Sequence, residues 1–130
     1  MKATLPTQPV SNARQLDKEV INHYHAIGLI DGELTPLVDC RLYMSRSGDG
    51  ASPVYCALWL LYGENGYSSG RGTASGYGYY HKRSSAVGQA IRSAGIKLDG
   101  NIEGVGDDAV KDALTAIAEA CGATQVLVVG

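Results

Sequence analysis

The chain has no phenylalanine and one tryptophan, so its eight tyrosines carry nearly all of the aromatic surface. Tyrosine joins an apolar body to a polar tip and suits half-buried surfaces, whether at an interface or in an ordinary strand. Proline is scarce, with four residues, and the apolar share is an ordinary 45%, so most of the chain is expected to fold. No apolar run reaches membrane-spanning length; the longest, Val54–Tyr62, is strand-sized. The N-terminus, MKATLPTQPV, lacks the hydrophobic region of a secretory signal. Cysteine is limited to Cys40, Cys56 and Cys121, an odd number that fits a reducing compartment. A cytoplasmic protein that does not enter a membrane is the expectation.

Motifs that carry chemistry are also missing. There is no Cys-x-x-Cys, no His-Glu-x-x-His and no Gly-x-x-x-x-Gly-Lys-Ser/Thr. Cys40 and Cys56 sit in apolar strand patterns, where a core role outweighs a nucleophilic one. His23 and His25 fall two residues apart in a segment that reads as helix, which would point them to different faces. No metal, cofactor or catalytic residue is therefore expected, and no enzymatic activity.

What is present is a segregated charge. Residues 66–97 contain no acid and five cations, Arg71, Lys82, Arg83, Arg92 and Lys97, inside a chain whose net charge is −2. Glycines alternate there with Tyr67, Tyr77, Tyr79 and Tyr80, and the run passes through His81-Lys82-Arg83 into a small-residue helix. Such a stretch creates a local positive potential that whole-chain charge conceals. The glycines admit a simple anion nest at the helix start as well as a flexible loop. Residues 99–130 are the counterpart, with six acids against one Lys. Asp107, Asp108, Asp112 and Glu119 make an acidic helix face, either a second site or a solvated surface.

Periodicity sets out the elements. Residues 1–12 read as a flexible tail and 13–130 as a single domain. Leu16, Val20, Ile21, Tyr24 and Ile27 predict a first helix over 13–28, capped by Ser11 or Asn12. Asp31–Pro36 reads as a turn and Leu37–Arg46 as a half-buried strand with Val38, Cys40, Leu42 and Met44 on one face. Pro53–Tyr62 is apolar on both faces, like a central strand. Gly63–Gly66 suggests a hairpin turn into a weak strand over 67–75. Helices follow at 83–94 and from Asp107 or Asp108 to Ala120, around a glycine-rich loop at 97–106, and Gln125–Val129 closes the chain as a strand. The expected fold is α+β, an antiparallel three- to four-stranded sheet packed on helices in the order α-β-β-β-α-α-β.

That order, with Gly70-Arg71-Gly72 ahead of His81-Lys82-Arg83-Ser84-Ser85, resembles the double-stranded-RNA-binding domain across roughly residues 16–95. That family has a glycine-rich third strand and a Ser-Lys-Lys run opening its last helix. The segment Gly76–Gly95 is similar to small accessory proteins of phages and prophages. This second resemblance implies a stoichiometric inhibitor of a host nucleic-acid-handling complex, for example an anti-CRISPR protein, with no cofactor. The partner would be a host nucleoprotein complex or nuclease. Arg71, His81, Lys82, Arg83 and Arg92 would meet carboxylates or phosphates, with Tyr77, Tyr79 and Tyr80 as anchors. Direct nucleic-acid binding by the same residues is the alternative. The opposed charges also suit self-association, so a homodimer stays open.

Overall fold

The computed structural model describes residues 1–6, 19–44, 54–61, 69–74, 83–100 and 107–130. The elements are β1 (Ala3–Thr4), β2 (Glu19–Ile30), β3 (Glu33–Met44), β4 (Val54–Leu60), β5 (Ser69–Ala74), α1 (Arg83–Ser93), β6 (Lys97–Leu98), α2 (Asp107–Ala120) and β7 (Thr124–Val129). The fold is α+β. Its main sheet has five strands in the order β5-β4-β3-β2-β7, every neighbouring pair antiparallel. None of the described helices is long and apolar enough to cross a membrane.

The largest departure from the sequence reading is the first element. The expected helix over 13–28 is, from Glu19 onward, the long strand β2, and residues 13–18 lie outside the described residues. Asp31 and Gly32 form a two-residue turn with positive φ at both positions (51° and 78°), which suits a tight hairpin between right-twisted strands. β3 therefore starts at Glu33, inside the turn expected over Asp31–Pro36, and pairs with β2 along its whole length. The apolar positions at helical spacing are shared between two faces of a strand. Tyr24 and Ala26 are buried, while His23 and His25 point the other way. The α-β-β-β-α parallel to the double-stranded-RNA-binding domain loses the helix on which it began.

Elsewhere the strand and helix readings hold closely. Val38, Cys40 and Leu42 of β3 and Cys56, Leu58 and Leu60 of β4 are fully buried, and β4 lies inside the sheet. Ala86, Val87, Ala90 and Ile91 are the buried stripe of α1, continued by buried Ala94 just past its end. Gly95 ends that helix at φ +79°, with hydrogen bonds from Gly95 N to Arg92 O (3.0 Å) and Ile96 N to Ile91 O (3.1 Å). Val110, Ala113, Leu114, Ile117 and Ala118 are the stripe of α2, and Gly122 follows at φ +95°. The many alanines let both helices approach the sheet closely, with Leu114, Ile117 and Ile91 as the bulky fillers.

Two smaller corrections concern pairing. Lys97–Leu98, expected inside a loop, pairs with Ala3–Thr4 as a two-stranded ribbon. The Lys2 N–H donates to Asp99 Oδ1 (2.7 Å), so residues 1–6 of the expected tail are tied to the fold. Residues 7–12, the hairpin turn at 63–66 and the loop at 101–106 lie outside the described residues.

α1 packs against β4 and β5, and α2 against β7, β2 and β1. Tyr24 fixes the second contact: its ring is buried and its hydroxyl donates to Asp107 Oδ1 at the start of α2. Both helices cover the face carrying Tyr24, Cys40 and Leu58. Among the described residues, neither covers the opposite face.

Candidate functional site

The uncovered face is laid out by antiparallel register. One row runs Val129, His25, Asp39, Trp59 and Ser69 across β7, β2, β3, β4 and β5. The next runs His23, Arg41, Ala57 and Arg71. Positions i and i+2 of a strand share a face, and directly opposed residues on neighbouring strands are in contact range. His23, His25, Asp39, Arg41 and Trp59 thus converge from three strands without help from a loop.

Asp39 is the centre of the group. It is the one charged side chain buried among the described residues, at 8% exposure. Its Oδ1 accepts from His23 Nε2 at 2.6 Å and lies 3.4 Å from His25 Nδ1. Its Oδ2 accepts from Arg41 Nε at 3.0 Å. The two imidazoles stand 3.9 Å apart, centroid to centroid, tilted by 45°. Burial acts against the Arg41 charge, but the carboxylate and hydrogen bond of Asp39, aided by Tyr43, outweigh it and raise the guanidinium above its usual range. Arg41 also lies over the Trp59 ring, 5.5 Å from its centroid. Asp39, Arg41, Trp59 and Leu61 line a shallow pocket of about 340 Å³. Beside the His25 row, Leu127 and Val129 of the edge strand are exposed.

The residues expected to form a basic binding surface are distributed differently. Arg71 is a position of β5, in the register row of Arg41. Arg83 opens α1 and Arg92 is exposed in its last turn, on the helical side of the sheet. Tyr77, Tyr79, Tyr80, His81 and Lys82 lie outside the described residues. The acidic face of α2 is exposed at Asp107, Asp108, Asp112 and Glu119, with Asp107 held by Tyr24 and by Lys111 Nζ at 3.6 Å.

Two of the three cysteines are core residues, and Cys121 is half-buried against the core. Cys40 and Cys56 are fully buried with their sulfurs 3.5 Å apart. Burial and the hydrogen bond to Cys40 push the Cys56 thiol well above its usual range. Burial also raises Cys121.

Sequence reasoning missed His23, His25, Asp39, Arg41 and Trp59 as a unit. On a helix His23 and His25 would diverge and could not share an ion; in a strand, a spacing of two brings side chains to one face. His-x-His followed by a hydrophobic alternation and Asp-Gly was the available signal. Comparison with protein-family models, with curated proteins and with solved structures finds no match to this chain.

Proposed function

We propose that this protein acts by stoichiometric binding and catalyses no reaction, docking on a nucleic-acid-handling complex of a host as a phage-type inhibitor. The observation that carries the binding reading is the Arg41–Trp59 pair on the uncovered sheet face, with His23, His25 and Asp39 beside it. Binding surfaces concentrate their energy in a few Trp, Tyr and Arg side chains held on a rigid support. A five-stranded sheet backed by two helices is such a support. Exposed Leu127 and Val129 add apolar area at its edge. The class of partner rests on the acid-free stretch 66–97 and on the resemblance of Gly76–Gly95 to phage accessory proteins. That stretch enters the sheet at β5, where Arg71 is the register partner of Ala57.

A second reading is favoured by one feature. A cation stacked on an aromatic ring, on an open antiparallel sheet, is a platform on which single-stranded bases stack. Two measurements separate the readings. Inhibition of purified host nuclease complexes is assayed with the wild type, with Arg41→Glu/Trp59→Ala and with Arg83→Glu/Arg92→Glu. Anisotropy with bare RNA and DNA is followed across salt. The inhibitor reading expects inhibition that the sheet-face variant loses while circular dichroism stays native, and no affinity for bare nucleic acid. Steeply salt-dependent binding to bare strands, lost in the same variant, supports the second reading. Full inhibition by the folded sheet-face variant refutes the assignment of this face.

A further inference from the structure

We propose that His23, His25 and Asp39 form a binding site for one divalent transition-metal ion, of which zinc is the reference. The donor set is two imidazole nitrogens and one carboxylate oxygen, all within 4.8 Å of one another. Imidazole donors select zinc and its first-row neighbours over magnesium or calcium. Three protein ligands with a position left open is a recurrent zinc arrangement.

The distances suit this with little movement. Bonds of about 2.0–2.1 Å in a tetrahedral site put ligand atoms about 3.3 Å from each other. His25 Nδ1 and Asp39 Oδ1 are already 3.4 Å apart. His23 Nε2, at 2.6 Å from the same oxygen, gives up its hydrogen bond to the ion and moves back by about 0.7 Å, within the reach of a side-chain rotation. All three ligands stand on the paired part of β2 and β3, with His25 directly opposite Asp39. A site built on strands holds its geometry better than one built on loops.

The hydrogen bonding also points to an ion. Two imidazoles compete for a single oxygen of Asp39, while the other oxygen is taken by Arg41. One cation between the rings satisfies both nitrogens and Oδ1 at once. Arg41 then acts as the outer partner that orients a ligating carboxylate, a role found around most metal sites. The histidine side chains are 34% and 46% exposed, so an ion has access from solvent. The pocket of Asp39, Arg41, Trp59 and Leu61 adjoins the site.

This site goes beyond the docking reading and does not depend on it. The test is calorimetric titration of zinc into the full chain after chelator treatment, with cobalt absorption as a report on coordination. One ion per chain is expected, with saturable heat. His23→Gln, His25→Gln and Asp39→Asn should each weaken binding by about 10-fold or more, in line with the losses seen when a metal's supporting groups are removed. His81→Gln and Cys121→Ser should leave it unchanged. If a ligand variant fails to fold, the wild-type imidazole NMR signals decide: those of His23 and His25 should shift with zinc while His81 stays in place. No saturable binding, or binding that persists in folded His23→Gln/His25→Gln, overturns the site. So does binding lost only on changing His81 or Cys121. The docking assay of Arg41→Glu/Trp59→Ala is read separately, in chelator, so failure of one assignment leaves the other measurable.

Discussion

Replacing Asp39 by Ala removes the acceptor shared by His23, His25 and Arg41 and leaves those donors facing an apolar methyl group. If all of them were buried, breaking the pairings would cost about 3–5 kcal/mol. They are not: the Arg41 and His23 side chains are 43% and 34% exposed, and water replaces much of what they lose. Each half-exposed pairing is then worth about 0.2–1 kcal/mol. With two close partners and a third at 3.4 Å, the expected loss is about 1–2 kcal/mol in metal-free buffer. Urea unfolding at neutral pH measures it, with an unchanged denaturant slope as the sign that the native fold is retained. Asp39→Asn keeps the shape and one acceptor oxygen, so it should lose less than Asp39→Ala. A double-mutant cycle with Arg41→Ala should return a coupling of about 0.5 kcal/mol or more. A change within about 0.5 kcal/mol for Asp39→Ala, the range of ordinary surface substitutions, would refute the view that this carboxylate organises the sheet face.

Three further outcomes test the frame around the site. Leu114→Ala, at a fully buried position of α2, should cost about 2–5 kcal/mol in the same unfolding assay; a surface-like value would mean that the helix does not pack as described. Gly28→Ala places a Cβ 2.8 Å from Ala123 Cβ and 3.3 Å from the Thr124 carbonyl, so it should cost about 1–3 kcal/mol and speed amide exchange in β7. Unchanged exchange there would show that β7 does not depend on this close approach. The Cys56 thiol is held neutral in the fold by burial, so its share of stability is intact below the unfolded thiol pKa of about 8.5 and declines as pH rises toward the raised folded value. Stability should fall above that pH by up to about 1.4 kcal/mol per unit for this group, and Cys56→Ala should flatten the slope. An identical slope in the variant would contradict burial of the ionisable thiol.

The elements that were legible in the sequence are those whose pattern has one interpretation. The stripe Val110, Ala113, Leu114, Ile117 and Ala118 fits a helix and nothing else, and Gly122 supplies its left-handed stop. Val38, Cys40 and Leu42 fit only a half-buried strand. β2 failed because Val20, Ile21, Tyr24 and Ile27 satisfy helical spacing and fall on both faces of the strand, so no clean alternation competes with the helix; the deciding mark was the Asp31-Gly32 turn beyond its end. Once a helix is assumed, His23 and His25 diverge, so the error in one element erased the site.

Composition and local pattern alone established an α+β chain with the two amphipathic helices α1 and α2, beside a third helix that the structure replaces with β2, and a charge split between residues 66–97 and 99–130. These properties follow from which side chains avoid water and at what period, and both are written in neighbouring residues. Only the tertiary structure decided that the sheet has five strands, that both helices share one face, and that Asp39 stands opposite His25 with Trp59 on its other side. Those facts depend on strand register, which joins residues sixteen and twenty positions apart at Asp39–His23 and Asp39–Trp59. Register is set by the burial of whole strand faces and by turn geometry, and no short window of sequence contains either.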